Sequence, residues 1–256
     1  MRLKKRFMLS LKNSLRMKLN CLDPRMVSLV DKCKVRDFVE KRIGSQYLVP
    51  LIGVYNTVEE FLGADLPNEF VVKCTHDSQS AHICIDKATF DFGAAARGLE
   101  TALKRNWYWQ GREWAYKGVK PRIIVEEYLR DRERATPNDY KFYCFNGVPK
   151  YLYVSQGMND HKTARVSFIT MNWEKAPFGR ADYPEFEALP SKPIKFDKMV
   201  SVAKKLSEEQ PFLRVYLYEI SGEVYFSELT LFPCGGLMPF VPKEWDRKLG
   251  DMIELS

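Results

Sequence analysis

The sequence predicts a mixed α+β fold, and three features carry that expectation. Short runs rich in aromatic and β-branched residues, FVVKC, DYKFYCF and RVYLYEI among them, fit a pleated, half-buried surface and read as strands. Longer stretches between them place apolar residues at helical spacing, FDFGAAARGLETALKRNWYW most clearly. No apolar run approaches the ~20 residues that a membrane helix needs. With 256 residues, 45% hydrophobic and 29% charged, the chain can bury a sizeable core in one large domain or two closely packed ones.

VSLVDKCKVRDFVEKRI (27–43) keeps a helical period through Val27, Val30, Val35, Phe38, Val39 and Ile43. YLVPLIGVY (47–55) reads as a short buried strand with a proline bend. TVEEFL then opens a helical turn, with Thr57 and Glu60 spaced as a capping box. FVVKC and HICID (70–74 and 82–86) are short strands around the polar loop THDSQSA, and the long helix starts near Asp91. PRIIVEEYL, DYKFYCFNG and VPKYLYVSQ (121–129, 139–147, 148–156) read as successive strands joined by polar loops. Residues 157–196 form the longest irregular stretch, rich in proline and aromatics. DKMVSVAKKLSEE (197–209) is a helix, RVYLYEISGEVYFSELT (214–230) a β-hairpin, and a short helix follows near Lys243 to Leu249.

The net charge of +7 is local. Arg2, Lys4, Lys5, Arg6, Lys12, Arg16 and Lys18 supply seven cations and no acid in residues 1–20, which leaves 21–256 neutral. A broad phosphate-tracking surface for nucleic acid is therefore not expected. FMLSL is too short for the apolar core of a secretory signal. The basic segment reads either as an amphipathic first helix packed on the body through Phe7, Leu11, Leu15 and Leu19, or as one resting on anionic lipid. The six cysteines form no C-x-x-C pair and no cluster with the three histidines, which favours buried thiols in a reducing compartment over disulfides or zinc.

Three places carry candidate chemistry. Lys73 closes an apolar strand and precedes small polar residues, a point charge beside free N–H groups of the kind that suits polyphosphate; a lysine at a surface turn gives the same pattern. IIVEEYL can offer backbone groups to a planar base with an acid alongside, or can be an edge strand with solvated glutamates. In the hairpin, parity decides the outcome. A two-residue loop at Ser221-Gly222 sets Arg214 and Glu228 on opposite faces, whereas a three-residue loop closing on Gly222 puts Arg214, Tyr216, Glu228 and Thr230 on one face. An Arg–Glu pair there is either structural or a charge clamp beside an oxygen ligand for a magnesium-bridged phosphate.

Taken in order, FVVKCTHDSQS, PRIIVEEYL, DYKFYCFNG and RVYLYEISGEVYFSELTLFPCGG resemble the ATP-grasp superfamily, and specifically its TupA-like branch, from about Asp31 onward. LVDKCKVRDFVEKRIGSQYLVPLIGVY, REWAYKGVKPRIIVEEYL and FPCGGLMPF resemble that branch as well. The resemblance implies an ATP-grasp fold with ATP clasped between two α+β lobes of antiparallel sheet. It implies a helical N-terminal, substrate-side region at 1–66, a small lobe at 67–127 and a large lobe with the Mg-ATP site at 128–256. By position, Lys73 would contact the α/β phosphates under a loop holding Asp77, Ser78 and Ser80. Glu126, Glu127 and Leu129 would form the adenine hinge, and Asp139 would reach the ribose, with Lys141 on the same strand face. Glu228 and Thr230 would hold Mg2+. Arg214, with Lys141 and Arg165, would steady the transferred phosphoryl group or tetrahedral intermediate; His161 and Lys162 lie beside Arg165 in the long loop.

The implied activity is ATP-dependent carboxylate–amine ligation through an acyl phosphate, joining an amino acid to a uronic acid of a bacterial surface polysaccharide. Its substrates would be an amino acid and a uronate-containing glycan or sugar nucleotide, used in the cytoplasm near the membrane. Three departures from the branch pattern bear on it. Tyr216 stands where R-x-D supplies a carboxylate, Glu228 and Thr230 stand where the superfamily often has E-x-N, and no glycine falls between Gly63 and Gly93. Two alternatives therefore stand beside the ligase: a nucleotide-binding, catalytically weak module that scaffolds polysaccharide assembly, or a glycosyl or phosphoryl transferase using the same groups.

Overall fold

The computed structural model describes residues 23–131, 138–158 and 162–254. The basic segment at 1–20 and His161 lie outside the described residues. The chain forms two compact units, one ending at Arg130 and the other beginning at Asp131.

In the first unit the expected single helix over 27–43 is two, α1 (Arg25–Val30) and α2 (Val35–Ile43). The break is chemical. Asp31 Oδ1 accepts from the backbone N–H of Cys33 at 2.9 Å and of Lys34 at 3.3 Å, so its side chain competes with helix continuation. β1 (Leu51–Tyr55) follows, then α3 (Val58–Leu62), whose cap Thr57 accepts from the N–H of Glu60. The carboxylate of Glu60 reaches back to the N–H of Asn56, one residue beyond the cap. β2 (Phe70–Cys74) and β3 (His82–Cys84) precede α4 (Phe92–Leu103), capped by Asp91. The helical pattern continues as separate short turns, α5 (Tyr108–Gly111) and α6 (Trp114–Lys117), because Asn106 accepts from the N–H of Tyr108 and starts a new turn. β4 (Ile123–Glu127) completes an antiparallel sheet of order β1-β4-β2-β3.

β4 is central, so Ile123, Ile124, Val125 and Glu126 are all buried and the strand reads as a continuous run. β1 is an edge strand whose residues are exposed or half-buried, contrary to the expected buried strand. On one face, Phe70, Val72, Cys74, Ile123 and Val125 pack against Val58, Phe61, Leu99 and Ala102. Each large side chain taken fully out of water there contributes about 1.5–3 kcal/mol. The alternate residues of β2 and β4, Lys73 and Glu126 among them, point to the other face.

The second unit is built on a five-stranded antiparallel sheet of order β10-β9-β5-β6-β7. β5 (Asp139–Phe145) and β6 (Val148–Gln156) turn at Asn146-Gly147, both with positive φ as a primed hairpin turn needs. β7 (Arg165–Thr170) pairs with β6, and β8 (Gly179–Arg180) pairs with β11 (Phe240–Val241), so residues 157–196 are not wholly irregular. The four inner residues of β7 are all buried, which removes the polar alternation by which a strand is recognised.

α7 (Phe196–Ser207) lays Phe196, Met199, Val202, Ala203 and Leu206 along one stripe. It covers the sheet face that holds Phe142 and Cys144, with the ring of Phe196 6.2 Å from that of Phe142. β9 (Phe212–Ile220) and β10 (Glu223–Thr230) form the hairpin, and α8 (Glu244–Asp251) closes the chain.

The hairpin corrects the expected register mechanism. Its loop has two residues, Ser221 and Gly222, both at positive φ, with Ile220 opposite Glu223. A β-bulge between Phe226 and Glu228 then shifts the pairing by one, placing Glu228 opposite Tyr216 and Thr230 opposite Arg214. The four residues do share a face. The extra residue that brings them there lies in the strand, not in the turn.

Candidate functional site

Two clusters carry the chemistry, one in each unit. In the first unit, Glu126 reaches two cations. Its Oε1 lies 2.7 Å from Arg36 Nη1 and its Oε2 2.7 Å from Lys73 Nζ. Register explains the second contact. Lys73 pairs with Ile124 and Val71 with Glu126, so Lys73 and Glu126 are diagonal neighbours on one face. Sequence reasoning gave Glu126 a backbone role and missed both this bridge and Arg36. Alternation in FVVKC and IIVEE hints at the bridge, but the strand register is not legible there. Glu127 and Ser78 are exposed and Leu129 is half-buried, while the N–H of Glu127 is taken by Pro50 O.

The polar loop after β2 is held from within. Ser80 Oγ donates to Asp77 Oδ1 and accepts from the N–H of Cys74 at 2.8 Å, and Lys32 Nζ donates to the backbone oxygen of Asp77. Asp77 and Ser80 are thus buried anchors of a glycine-free loop, and Ser78 at its tip faces water.

In the second unit, the sheet face opposite α7 gathers Asp139 and Lys141 from β5, Ser155 from β6, Arg214, Tyr216 and Tyr218 from β9, and Glu228 and Thr230 from β10. Arg214 Nη2 donates to Thr230 Oγ1 at 2.9 Å and lies 3.4 Å from Glu228 Oε1, to which Thr230 also donates at 2.7 Å. Arg214 Nε is buried with no partner. One strand over, Lys141 Nζ lies 2.7 Å from Asp139 Oδ2 and 3.3 Å from Ser155 Oγ. The Tyr216 hydroxyl donates to Asp139 Oδ1 and sits 2.7 Å from the Tyr218 hydroxyl. The Lys141 ammonium is 4.4 Å from the centre of the Tyr216 ring and 5.1 Å from that of Tyr153.

The electrostatics follow from burial. Desolvation pushes Lys141 below its ordinary pKa, opposed by Asp139 and reinforced by Arg214. Burial pushes the Tyr216 phenol well above its ordinary value, with Tyr218 and Asp139 adding to the effect. Tyr216 therefore stays neutral, and a neutral phenol is a poor ligand for a hard cation. Arg165 does not join this group. It stands opposite Gln156, one position out of phase with Val166, and its guanidinium donates to Ala164 O at 3.0 Å.

Among the described residues no three His, Cys, Asp or Glu side chains form a group that would hold a metal by themselves. Mg2+ in phosphate sites keeps waters and phosphate oxygens and takes only one or two protein carboxylates. Glu228, with the Thr230 hydroxyl beside it, fits one such ion.

The TupA-like ATP-grasp family profile matches residues 11–254, so the chain belongs to the TupA-like ATP-grasp family. No curated protein sequence matches it significantly. Solved structures similar to it include the D-alanine–D-alanine ligase of Helicobacter pylori, 11% identical with a TM-score of 0.47, covering 89% of this chain and 61% of that one. The Bacillus anthracis D-alanine–D-alanine ligase complexed with ATP is 16% identical, with a TM-score of 0.47 and coverage of 88% and 65%. The L-amino acid ligase of Bacillus licheniformis is 16% identical, with a TM-score of 0.43 and coverage of 79% and 42%. The chain spans less than two thirds of the length of each of these three.

Proposed function

We propose that the protein is an ATP-dependent carboxylate–amine ligase that joins an amino acid to a uronic-acid carboxylate of a bacterial surface glycan. Membership of the TupA-like ATP-grasp family over residues 11–254 carries this reading. The residues of that family's motifs fall into two charged clusters, Lys73 with Glu126 and Lys141 with Arg214 and Glu228, which supports it.

In this reading Lys73 holds the α/β phosphates, and Asp77, Ser78 and Ser80 shape the loop above them. Glu126, Glu127 and Leu129 border the base, and Asp139 serves the ribose side. A substrate carboxylate oxygen attacks the γ-phosphorus as the bond to ADP breaks. The amine then attacks the acyl carbon, phosphate leaves, and the amine proton passes to solvent. Arg214 and Lys141 offset the charge that develops, a role of positioning and electrostatics. Mg2+, held by Glu228 and Thr230, would neutralise phosphate charge. Arg165 enters this reading only if the β7 end rearranges on binding.

No helix among the described residues is long and apolar enough to cross a membrane. We place the enzyme at the cytoplasmic face of the membrane, where the basic segment 1–20 would meet anionic lipid.

A second reading, nucleotide binding without turnover, is favoured by Tyr216, whose hydroxyl ties up Asp139. ADP release measured across amino acids with and without a uronate separates the two. The ligase needs both co-substrates, whereas the binding module shows a nucleotide-dependent thermal shift and no release. Retention of that shift in both Lys73→Ala and Glu228→Ala would show that the site is wrongly placed.

A further inference from the structure

We propose that Lys141 supplies, from within the chain, one of the positive charges of the nucleotide site, so that nucleotide is taken up with a single divalent ion. This rests on the nucleotide-binding reading above and specifies what that site contains.

The argument starts from the hairpin register. Directly across the strand from Glu228, where a second carboxylate would bracket a cation with it, stands Tyr216. The carboxylate that touches Tyr216 is that of Asp139, and both of its oxygens are engaged. Oδ1 accepts from the Tyr216 hydroxyl, and Oδ2 accepts from Lys141 at 2.7 Å and from Ser155 at 2.9 Å. Lys141 pairs with Tyr216 in the β5–β9 register. Its ammonium is fixed by a carboxylate, a hydroxyl and two ring faces, which together make a cation cage already filled by the chain. A second divalent ion beside it would meet a like charge, and the Asp139 carboxylate there is already engaged at both oxygens. A fixed ammonium with its third N–H left for a phosphate oxygen supplies the missing charge without recruiting one. Tyr216 and Lys141 then work as a unit: the ring supports the ammonium, and the hydroxyl turns the carboxylate toward it.

The test counts metal ions per bound nucleotide. The full chain, in excess over a non-hydrolysable ATP analogue, is titrated with Mn2+, and free Mn2+ is read by electron paramagnetic resonance. One Mn2+ per nucleotide is expected for the wild type, and two for Lys141→Met/Tyr216→Asp, which restores a carboxylate opposite Glu228 and removes the ammonium. Lys141→Met alone is expected to weaken analogue binding at least tenfold at fixed Mn2+, read by calorimetry. Two ions in the wild type overturn the proposal whether or not any variant folds. A folded double variant that stays at one ion overturns it as well. Absence of analogue binding at any Mn2+ concentration removes the nucleotide reading itself, an outcome distinct from a wrong ion count on a nucleotide that binds.

Discussion

Replacing Asp31 by alanine should destabilise the first unit more than any surface substitution. Asp31 is fully buried. One carboxylate oxygen accepts the N–H groups of Cys33 and Lys34, and the other lies 3.1 Å from Arg122 Nη2. Loss of the two accepted N–H bonds resembles loss of a helix cap, about 1 kcal/mol. Breaking a buried ion pair from one side costs about 3–5 kcal/mol. The Arg122 side chain keeps 20% of its exposure, so water softens that loss, and about 2–3 kcal/mol is the better figure. Arg122 Nε already has no partner, so the guanidinium has little with which to compensate. The total of about 3–4 kcal/mol corresponds to a fall in Tm of roughly 6–16 °C for a protein of this size. Thermal melts followed by far-ultraviolet circular dichroism measure it, with Arg122→Met and Asp31→Ala/Arg122→Met completing a cycle. The double variant should lose at least about 1 kcal/mol less than the two single losses combined. A fall below about 2 °C in Asp31→Ala, or strict additivity in the cycle, would refute the reasoning.

Three further outcomes are expected. Glu126→Gln should weaken the contacts to both Lys73 and Arg36, lowering Tm and changing the nucleotide-dependent shift, so a variant indistinguishable from wild type in both would count against the bridge. Burial pushes the thiol of Cys74 up to about 11 and that of Cys144 up to about 12. At pH 8 a thiol reagent should therefore modify exposed Cys234 long before either, as peptide mapping by mass would show. The buried phenols of Tyr143, Tyr153 and Tyr216 have raised folded-state values, so both states keep these protons below about pH 10 and the contribution there is constant. Above that pH the unfolded chain ionises first, so stability falls by up to about 1.4 kcal/mol per pH unit per tyrosine. Lys141, with a lowered value, works in the opposite direction as pH rises toward about 10.4. Denaturant midpoints from pH 8.5 to 11 read the sum, and Tyr216→Phe should flatten the decline.

Local chemistry was legible where a single residue decides it. Asp91 and Thr57 start helices because a short side-chain oxygen beside free N–H groups has one low-energy use, and each accepts the N–H three residues on. A common face for Arg214, Tyr216, Glu228 and Thr230 was expected from a three-residue loop; the loop has two residues, and a shift in β10 sets the parity instead. What set that parity was not legible: a bulge in β10 takes no distinctive residue, and the Ser221-Gly222 turn fits either loop length on paper. β7 escaped notice because burial on both faces erased its alternation. The Lys73–Glu126 contact depends on which strands neighbour each other, a choice made by packing across 53 residues of sequence rather than by either residue.

The bulge between Phe226 and Glu228 also divides the hairpin into two regions with different tolerance to insertion and deletion. Residues on the turn side can gain or lose two at a time, and the charged face below keeps its composition. Straightening the bulge with no change in chain length would bring Leu229 opposite Arg214 and turn Glu228 toward α7, without altering any charge in the sequence. The bulge, rather than the identity of the residues around it, therefore decides whether Glu228 and Thr230 stand beside Arg214.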